Sequence, residues 1–162
     1  MTDAAGRDQE AVSKFVESFA AQLLEAGMQR MPARVFAALL SSDEGVLTSA
    51  ELSDQLRISP AAVSGAVRYL TMTHMVSRER EPGSRRERYR VHGDQWDEAL
   101  TNREAIIKRW EGALREGVAS LGPDSPAGRR MAETLAFFEF VEGEVATMME
   151  RWREHRRELF GG

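Results

Sequence analysis

Hydrophobic residues recur at helical spacing near the start of the chain and predict two helices. The first extends from about Gln9 to Ala26, because Gly27 suits the end of a helix. Its apolar face consists of Val12, Phe15, Val16, Phe19, Leu23 and Leu24. The second begins near Pro32, since proline fits the first turn of a helix, and continues through the apolar run that ends at Leu40.

Two short capped helices follow, separated by about three residues. Thr48 and Glu51 have the spacing of a capping box and predict a helix over residues 49–57. Ser59, followed by a proline, combines an N-cap with a favoured first helical residue and predicts a helix over 60–73. Two capped helices this close together are typical of a helix-turn-helix.

The rest of the pattern predicts a β-hairpin and two long helices. Residues 75–80 and 88–92 are rich in strand-forming or alternating positions, and the turn between them at 81–86 is basic. A hairpin directly after a helix-turn-helix makes a winged helix. Helices are then predicted over about 94–120 and 127–159, separated by a segment with a glycine and two prolines.

These elements predict a mainly α fold with a small β-hairpin. A winged helix-turn-helix domain at 31–93 is flanked by an N-terminal dimerisation helix at 1–30 and a C-terminal helical dimerisation region at 94–162. The last helix is too long to pack along its whole length within a small domain, and its apolar positions follow heptad spacing. The apolar surface expected to form a homodimer interface is Val12, Phe15, Phe19 and Leu23, with Val141, Val145, Met148 and Trp152.

Composition excludes several classes of function. The chain has no cysteine, which rules out disulfides, thiolate zinc sites and a cysteine nucleophile. Its three histidines lie far apart, and no phosphate-binding loop or nucleophile elbow occurs, so we expect no metal, no cofactor and no enzyme activity. No apolar stretch is long enough for a membrane span or a signal peptide, and the expectation is a soluble cytoplasmic protein.

Charge is distributed unevenly along the chain. The net charge is −4, but the stretch from Arg57 to His92 contains eight arginines and three glutamates. That stretch therefore carries +5 and the remainder −9. Such asymmetry predicts one basic face on an otherwise acidic protein.

The stretch TSAELSDQLRISPAAVSGAVRYLTMTHMVSREREPGSRRERYRV, from Thr48 to Val91, resembles the MarR superfamily of transcriptional regulators, and especially its GbsR-like branch. The resemblance is carried by the capping box, the recognition helix ISPAAVSGAVRYL and the wing REPGSRRERY. The helices before and after this stretch also follow the family's order. Many members have Asp-x-Arg in the wing where this chain has GSRR, so the equivalent arginine is either Arg85 or Arg86.

This resemblance and the basic stretch imply a dimeric transcriptional regulator that binds double-stranded DNA at an inverted repeat. Small residues on the recognition helix let its backbone approach the major groove, while Arg68 can reach a phosphate or a guanine edge. The expected DNA-binding residues are Ser59, Ala61, Ala62, Ser64, Gly65, Arg68, Tyr69, Arg85, Arg86 and Arg88. Four arginines flank the wing tip: Arg78, Arg80, Arg88 and Arg90. They are expected either to contact flanking DNA or to pair with Glu79 and Glu87 across the hairpin.

Two alternatives stay open. Winged helices also mediate protein contacts, so the second hypothesis is a protein-interaction module that does not bind DNA directly. The aromatic residues suit a helical core or a dimer interface, but also a pocket for a small-molecule effector, since GbsR-like proteins sense small quaternary amines. These aromatic residues are Trp96, Trp110, Phe137, Phe138 and Trp152.

Overall fold

A computed structural model describes residues 8–161 of the chain. In chain order its elements are α1 (Gln9–Glu25), α2 (Arg30–Ser41), β1 (Val46–Thr48), α3 (Ser49–Leu56), α4 (Pro60–Met72), β2 (Ser77–Arg80), β3 (Glu87–Arg90), α5 (Gln95–Leu121) and α6 (Pro126–Phe160). The chain divides into two compact units, the first ending at Ala99 and the second beginning at Leu100. The predicted mainly α fold with a small β element is confirmed.

The sheet contains one strand more than the predicted hairpin. Its antiparallel strands lie in the order β1-β3-β2, so β3 is central. Tyr89 pairs with Leu47 of β1 on one side and with Arg78 of β2 on the other. Because β1 has only three residues, hydrophobic alternation did not reveal it.

The helix-turn-helix forms as the capping signals predicted. The Thr48 hydroxyl accepts from the Glu51 amide at 3.2 Å, and the Glu51 carboxylate accepts from the Thr48 amide at 2.7 Å. Ser59 caps α4 by accepting from the Ala62 amide at 3.1 Å. Between the helices, Arg57 has a left-handed backbone with φ of 53° and ends α3. These bonds fix where α4 begins.

The core of the first unit joins α1 to the winged helix. Phe36, Leu52 and Leu70 are fully buried at its centre, where α2, α3 and α4 meet. Trp96 packs edge-on against Phe36, with ring centroids 5.5 Å apart. The Arg34 guanidinium adds polar contacts, because it donates to the Glu17 carboxylate at 2.7 and 3.0 Å and to the Leu56 carbonyl at 3.1 Å. These bonds connect α1 through α2 to the end of α3.

The second unit consists of α6 and most of α5. Trp110 of α5 packs edge-on against Phe138 of α6, with ring centroids 5.6 Å apart. Ser125 caps α6 by accepting from the Gly128 amide at 2.9 Å. Glycine is required at 128, because a Cβ there would overlap the Gly122 carbonyl oxygen. The turn before α6 is therefore tight.

Glu111 is a buried carboxyl group in this unit. Only 7% of the residue is exposed, and its Oε1 has no hydrogen-bond partner. Burial raises the pKa of Glu111, and the neighbouring Glu142 and Glu139 carboxylates of α6 raise it further, while Arg115 partly opposes them. The native state therefore holds this proton more tightly than the unfolded chain does.

Stability should consequently decrease as Glu111 ionises. The contribution of this proton to the free energy of unfolding is complete below the ordinary glutamate pKa, 4.5. It is lost as the pH rises through the raised pKa of Glu111. We expect Glu111→Gln to increase the melting temperature at neutral pH, and the difference from the unmodified protein to shrink as the pH falls. Glu116→Gln, at an exposed position of α5, is the control. If the change in melting temperature for Glu111→Gln depends on pH no more than that for Glu116→Gln, this account is wrong.

Candidate nucleic-acid interface

Helix α4 separates a buried face from an exposed one. Val63, Ala66, Val67 and Leu70 lie in the core. On the opposite side, the exposed residues are Ser59, Ala61, Ser64, Gly65 and Arg68, whereas Ala62 and Tyr69 are partly buried. The structure thus brings five of the seven predicted α4 positions to the surface. Tyr69 instead packs against the core.

Apart from Arg68, the exposed predicted DNA-binding residues of α4 have small side chains or none. A Cβ built at Gly65 meets no atom within 4 Å, so this glycine is not required by packing inside the chain. The Arg68 guanidinium forms no ion pair with any residue in the range 8–161. It is therefore a free cation on a surface that another molecule can approach closely.

The tip of the wing is shaped by backbone bonds and a left-handed glycine. Gly83 has φ of 74°, a conformation that favours glycine. The Glu81 carbonyl accepts from the Ser84 amide at 3.1 Å, and the Glu81 amide donates to the Arg86 carbonyl at 2.9 Å. Arg85 and Arg86 are both exposed, and neither pairs with an acid in the described part of the chain. The turn holds two free cations away from the sheet.

A groove of about 740 Å³ lies between α4 and the wing. Pro60 and Ser64 line it from α4, and Arg86 lines it from the wing. Ser49 and Asp54 of α3 close its other side. These α3 residues are not among the predicted site residues, because helical periodicity does not show which helix lies beside the wing. Of the two tip arginines, only Arg86 lines this groove.

Of the other four wing arginines, three are paired across the hairpin, whereas Arg80 of β2 is exposed and has no ion pair among the described residues. Glu79 of β2 accepts from Arg90 Nε at 2.7 Å and from Arg88 Nε at 3.2 Å, and Arg78 Nε lies 3.8 Å from the Glu87 carboxylate. The predicted pairing with Glu79 and Glu87 is thereby confirmed. The hydrogen bond from Arg90 lowers the pKa of Glu79, and the charges of Arg90 and Arg88 lower it further. Within the basic stretch, the arginines that form no ion pair with a described residue are Arg57, Arg68, Arg80, Arg85 and Arg86.

Other kinds of site are not found in the described residues. Between positions 8 and 161, no three His, Cys, Asp or Glu side chains are grouped so as to hold a metal ion. No helix in that same range is long and apolar enough to cross a membrane.

Comparison with protein families identifies the chain. Residues 26–87 match the model of the MarR family, and residues 94–155 match that of MmpR5-like MarR family transcriptional regulators. The first match covers the helix-turn-helix and most of the wing, and the second covers most of α5 and α6. The chain belongs to the MarR family. As a MarR protein it is a DNA-binding transcriptional regulator.

A solved structure has the fold of this MarR protein. A crystal structure described as a transcriptional regulator is 22% identical, with a TM-score of 0.78, and the match covers 89% of this chain and 99% of that one. A Staphylococcus aureus MepR–DNA complex is 16% identical over 70% of this chain and 97% of that one, with a TM-score of 0.41. The comparison with curated proteins gave no match.

Proposed function

We propose that this regulator binds an inverted-repeat operator as a homodimer, with α4 in the major groove and the wing tip in the adjacent minor groove. The observation that carries the proposal is that Arg68 on α4 and Arg85 and Arg86 at the wing tip are exposed and have no acidic partner among the described residues. Arginine suits both places, since it binds guanine edges in the major groove and is attracted to narrow minor grooves.

Each proposed contact follows from the position of its residue. Ser59, at the N-terminus of α4, can donate its hydroxyl proton to a phosphate, which the helix dipole also favours there. The small residues Ala61, Ala62, Ser64 and Gly65 allow the helix backbone to approach the bases. Tyr69 is half-buried and would contact DNA only with its edge, and Arg88 would do so only after leaving Glu79. Direct base recognition therefore depends chiefly on Arg68.

Exposed apolar residues in α6 support a homodimer. Half of Met148 and 41% of Trp152 are exposed, and both lie on the proposed interface. Phe137, Phe140, Leu159 and Phe160 are exposed as well. A second copy would cover this surface in the way that obligate dimers bury hydrophobic area.

The other proposed interface residues are more buried within their own chain. Val141 and Val145 are half-buried and line a groove of about 280 Å³ in the second unit. On α1, Val12, Phe19 and Leu23 pack against the core, whereas 43% of Phe15 is exposed. We therefore expect Phe15, Met148 and Trp152 to contribute more area to the interface than the other five.

Two finer assignments remain predictions. The GbsR-like branch rests on the sequence resemblance, while residues 94–155 match MmpR5-like regulators. A small-molecule effector has room in the groove of the second unit, which Ile107, Val145 and Met149 line with apolar surface. An amphipathic molecule fits this groove best, since Arg103 and Glu142 also line it.

Titration with duplex DNA at several salt concentrations tests the proposal. Each neutralised phosphate changes the slope of log K against log salt by about −0.9. With three proposed contact arginines in each of two protomers, we expect a steep negative slope for the dimer. A protein-interaction module predicts no binding to duplex DNA at any salt concentration, and that result would reject the proposal.

A further inference from the structure

The outer surface of the wing carries a carboxylate held between two arginines. Glu79 of β2 lies opposite Arg88 of β3 in the strand register, and Ser77 lies opposite Arg90. The two oxygens of Glu79 are divided between the arginines, since Oε2 accepts from Arg88 and Oε1 accepts from Arg90. One acid therefore engages two of the eight arginines in the basic stretch.

This cluster is open to solvent. About 30% of each of the three side chains is exposed. Exposed ion pairs contribute little to stability, typically below about 1 kcal/mol, so a competing anion can separate them. The cluster lies in the same hairpin as Arg85 and Arg86, in strands that lead to the tip.

We propose that Glu79 limits the number of DNA phosphates that the wing neutralises, by occupying Arg88 and Arg90. The proposal rests on the proposed function, because it concerns the strength of binding at the same surface. An arginine paired with Glu79 can bind a phosphate in only two ways. It must either leave the carboxylate or bring that negative charge close to the DNA backbone. Both make the free energy of the phosphate contact less favourable.

The consequence concerns binding to DNA of any sequence. Non-specific binding depends almost entirely on phosphate contacts and the counterions that they release. A wing with every arginine free would therefore bind random DNA more tightly. Glu79 withdraws Arg88 and Arg90 from phosphate contacts, while Arg68 and the tip arginines stay free at positions where base edges and groove width can be read.

The test compares salt slopes on a duplex of random sequence. Glu79→Gln retains the shape of the side chain but removes the charge that holds the arginines. We expect its slope to be steeper than that of the unmodified protein by up to about 4 for the dimer, because up to two further phosphates are neutralised in each protomer. Affinity at low salt should increase at the same time.

A matched control separates this mechanism from a general change in charge. Glu81→Gln removes the same charge two residues further along, where the carboxylate has no arginine partner within residues 8–161. Its slope should stay close to that of the unmodified protein. Equal slopes for the two variants would overturn the proposal, and so would a flatter slope for Glu79→Gln, which would mean that Glu79 positions the arginines for DNA.

A double-mutant cycle gives a second readout. Arg88→Gln should hardly change the slope when Glu79 is present, but should reduce its magnitude by up to about 2 for the dimer in the Glu79→Gln background. If circular dichroism shows that Glu79→Gln does not fold, Arg88→Gln alone provides the test. A loss of about 2 in the slope of that variant would contradict the proposal. Absence of salt-dependent binding by the unmodified protein would instead reject the proposed function.

Discussion

Replacing both wing-tip arginines, as Arg85→Ala/Arg86→Ala, should weaken binding to duplex DNA and flatten its salt dependence without unfolding the protein. Each lost phosphate contact reduces the salt slope by roughly 1, so the double variant in a dimer should lose up to about 4. The fold should persist, because backbone bonds and Gly83 shape the tip and neither arginine has an ion-pair partner among the described residues.

Arg68→Ala should act differently from the tip variant. If Arg68 binds a guanine edge, its loss costs about 1–3 kcal/mol for each half-site and relaxes sequence preference there. Gel-shift titration on operator and random duplexes distinguishes the two effects. Arg130→Ala, at an exposed position of α6, serves as the control and should bind normally. Unchanged affinity for both Arg68→Ala and the tip variant would contradict the proposed interface.

Local signals predicted the helices and the turn between α3 and α4. The capping box of Thr48 and Glu51 and the N-cap Ser59 act within four residues, so the sequence alone displays them. Strand β1 was missed because its partner, β3, lies about 40 residues further along the chain. Three residues without alternation carry no local sign of such a distant pairing.

The count of charges predicts that the winged helix is basic, but it does not show which arginines form ion pairs. The sequence predicts Arg88 both as a DNA-binding residue and, alternatively, as a partner of Glu79, and in the structure it pairs with Glu79. The distinction depends on hairpin register, which places Glu79 opposite Arg88 and within reach of Arg90. A shift of register by one residue would move Glu79 to the other face of the sheet.

Apolar periodicity likewise does not reveal what covers a helical face. Val12, Phe19 and Leu23 have the spacing of an interface, yet they pack against the core of their own chain. Helix α6 differs, because every residue from 150 to 160 is exposed. Its length and apolar content exceed what the second unit covers, which is why we assign it the larger part of the proposed dimer interface.

A two-fold dimer determines the form of its operator. Its axis relates the two copies of α4, so the preferred DNA should be an inverted repeat. For both helices to enter successive major grooves on one side of the duplex, the half-site centres should lie about 10 bp, or roughly 34–36 Å, apart. The wing tips would then lie in the flanking minor grooves, where A·T-rich sequence favours arginine.

The spacing of the half-sites provides the most direct test of this mechanism. An operator obtained by selection from a random pool is compared with the same operator carrying 5 bp inserted between its half-sites, and with a control carrying the 5 bp outside them. The central insertion places the half-sites on opposite faces of the duplex. We predict that affinity then falls to the non-specific level, typically about 10³-fold or more, while the control binds normally. Selected sites that are single and asymmetric, or affinity that is indifferent to the central insertion, would contradict the symmetric dimer.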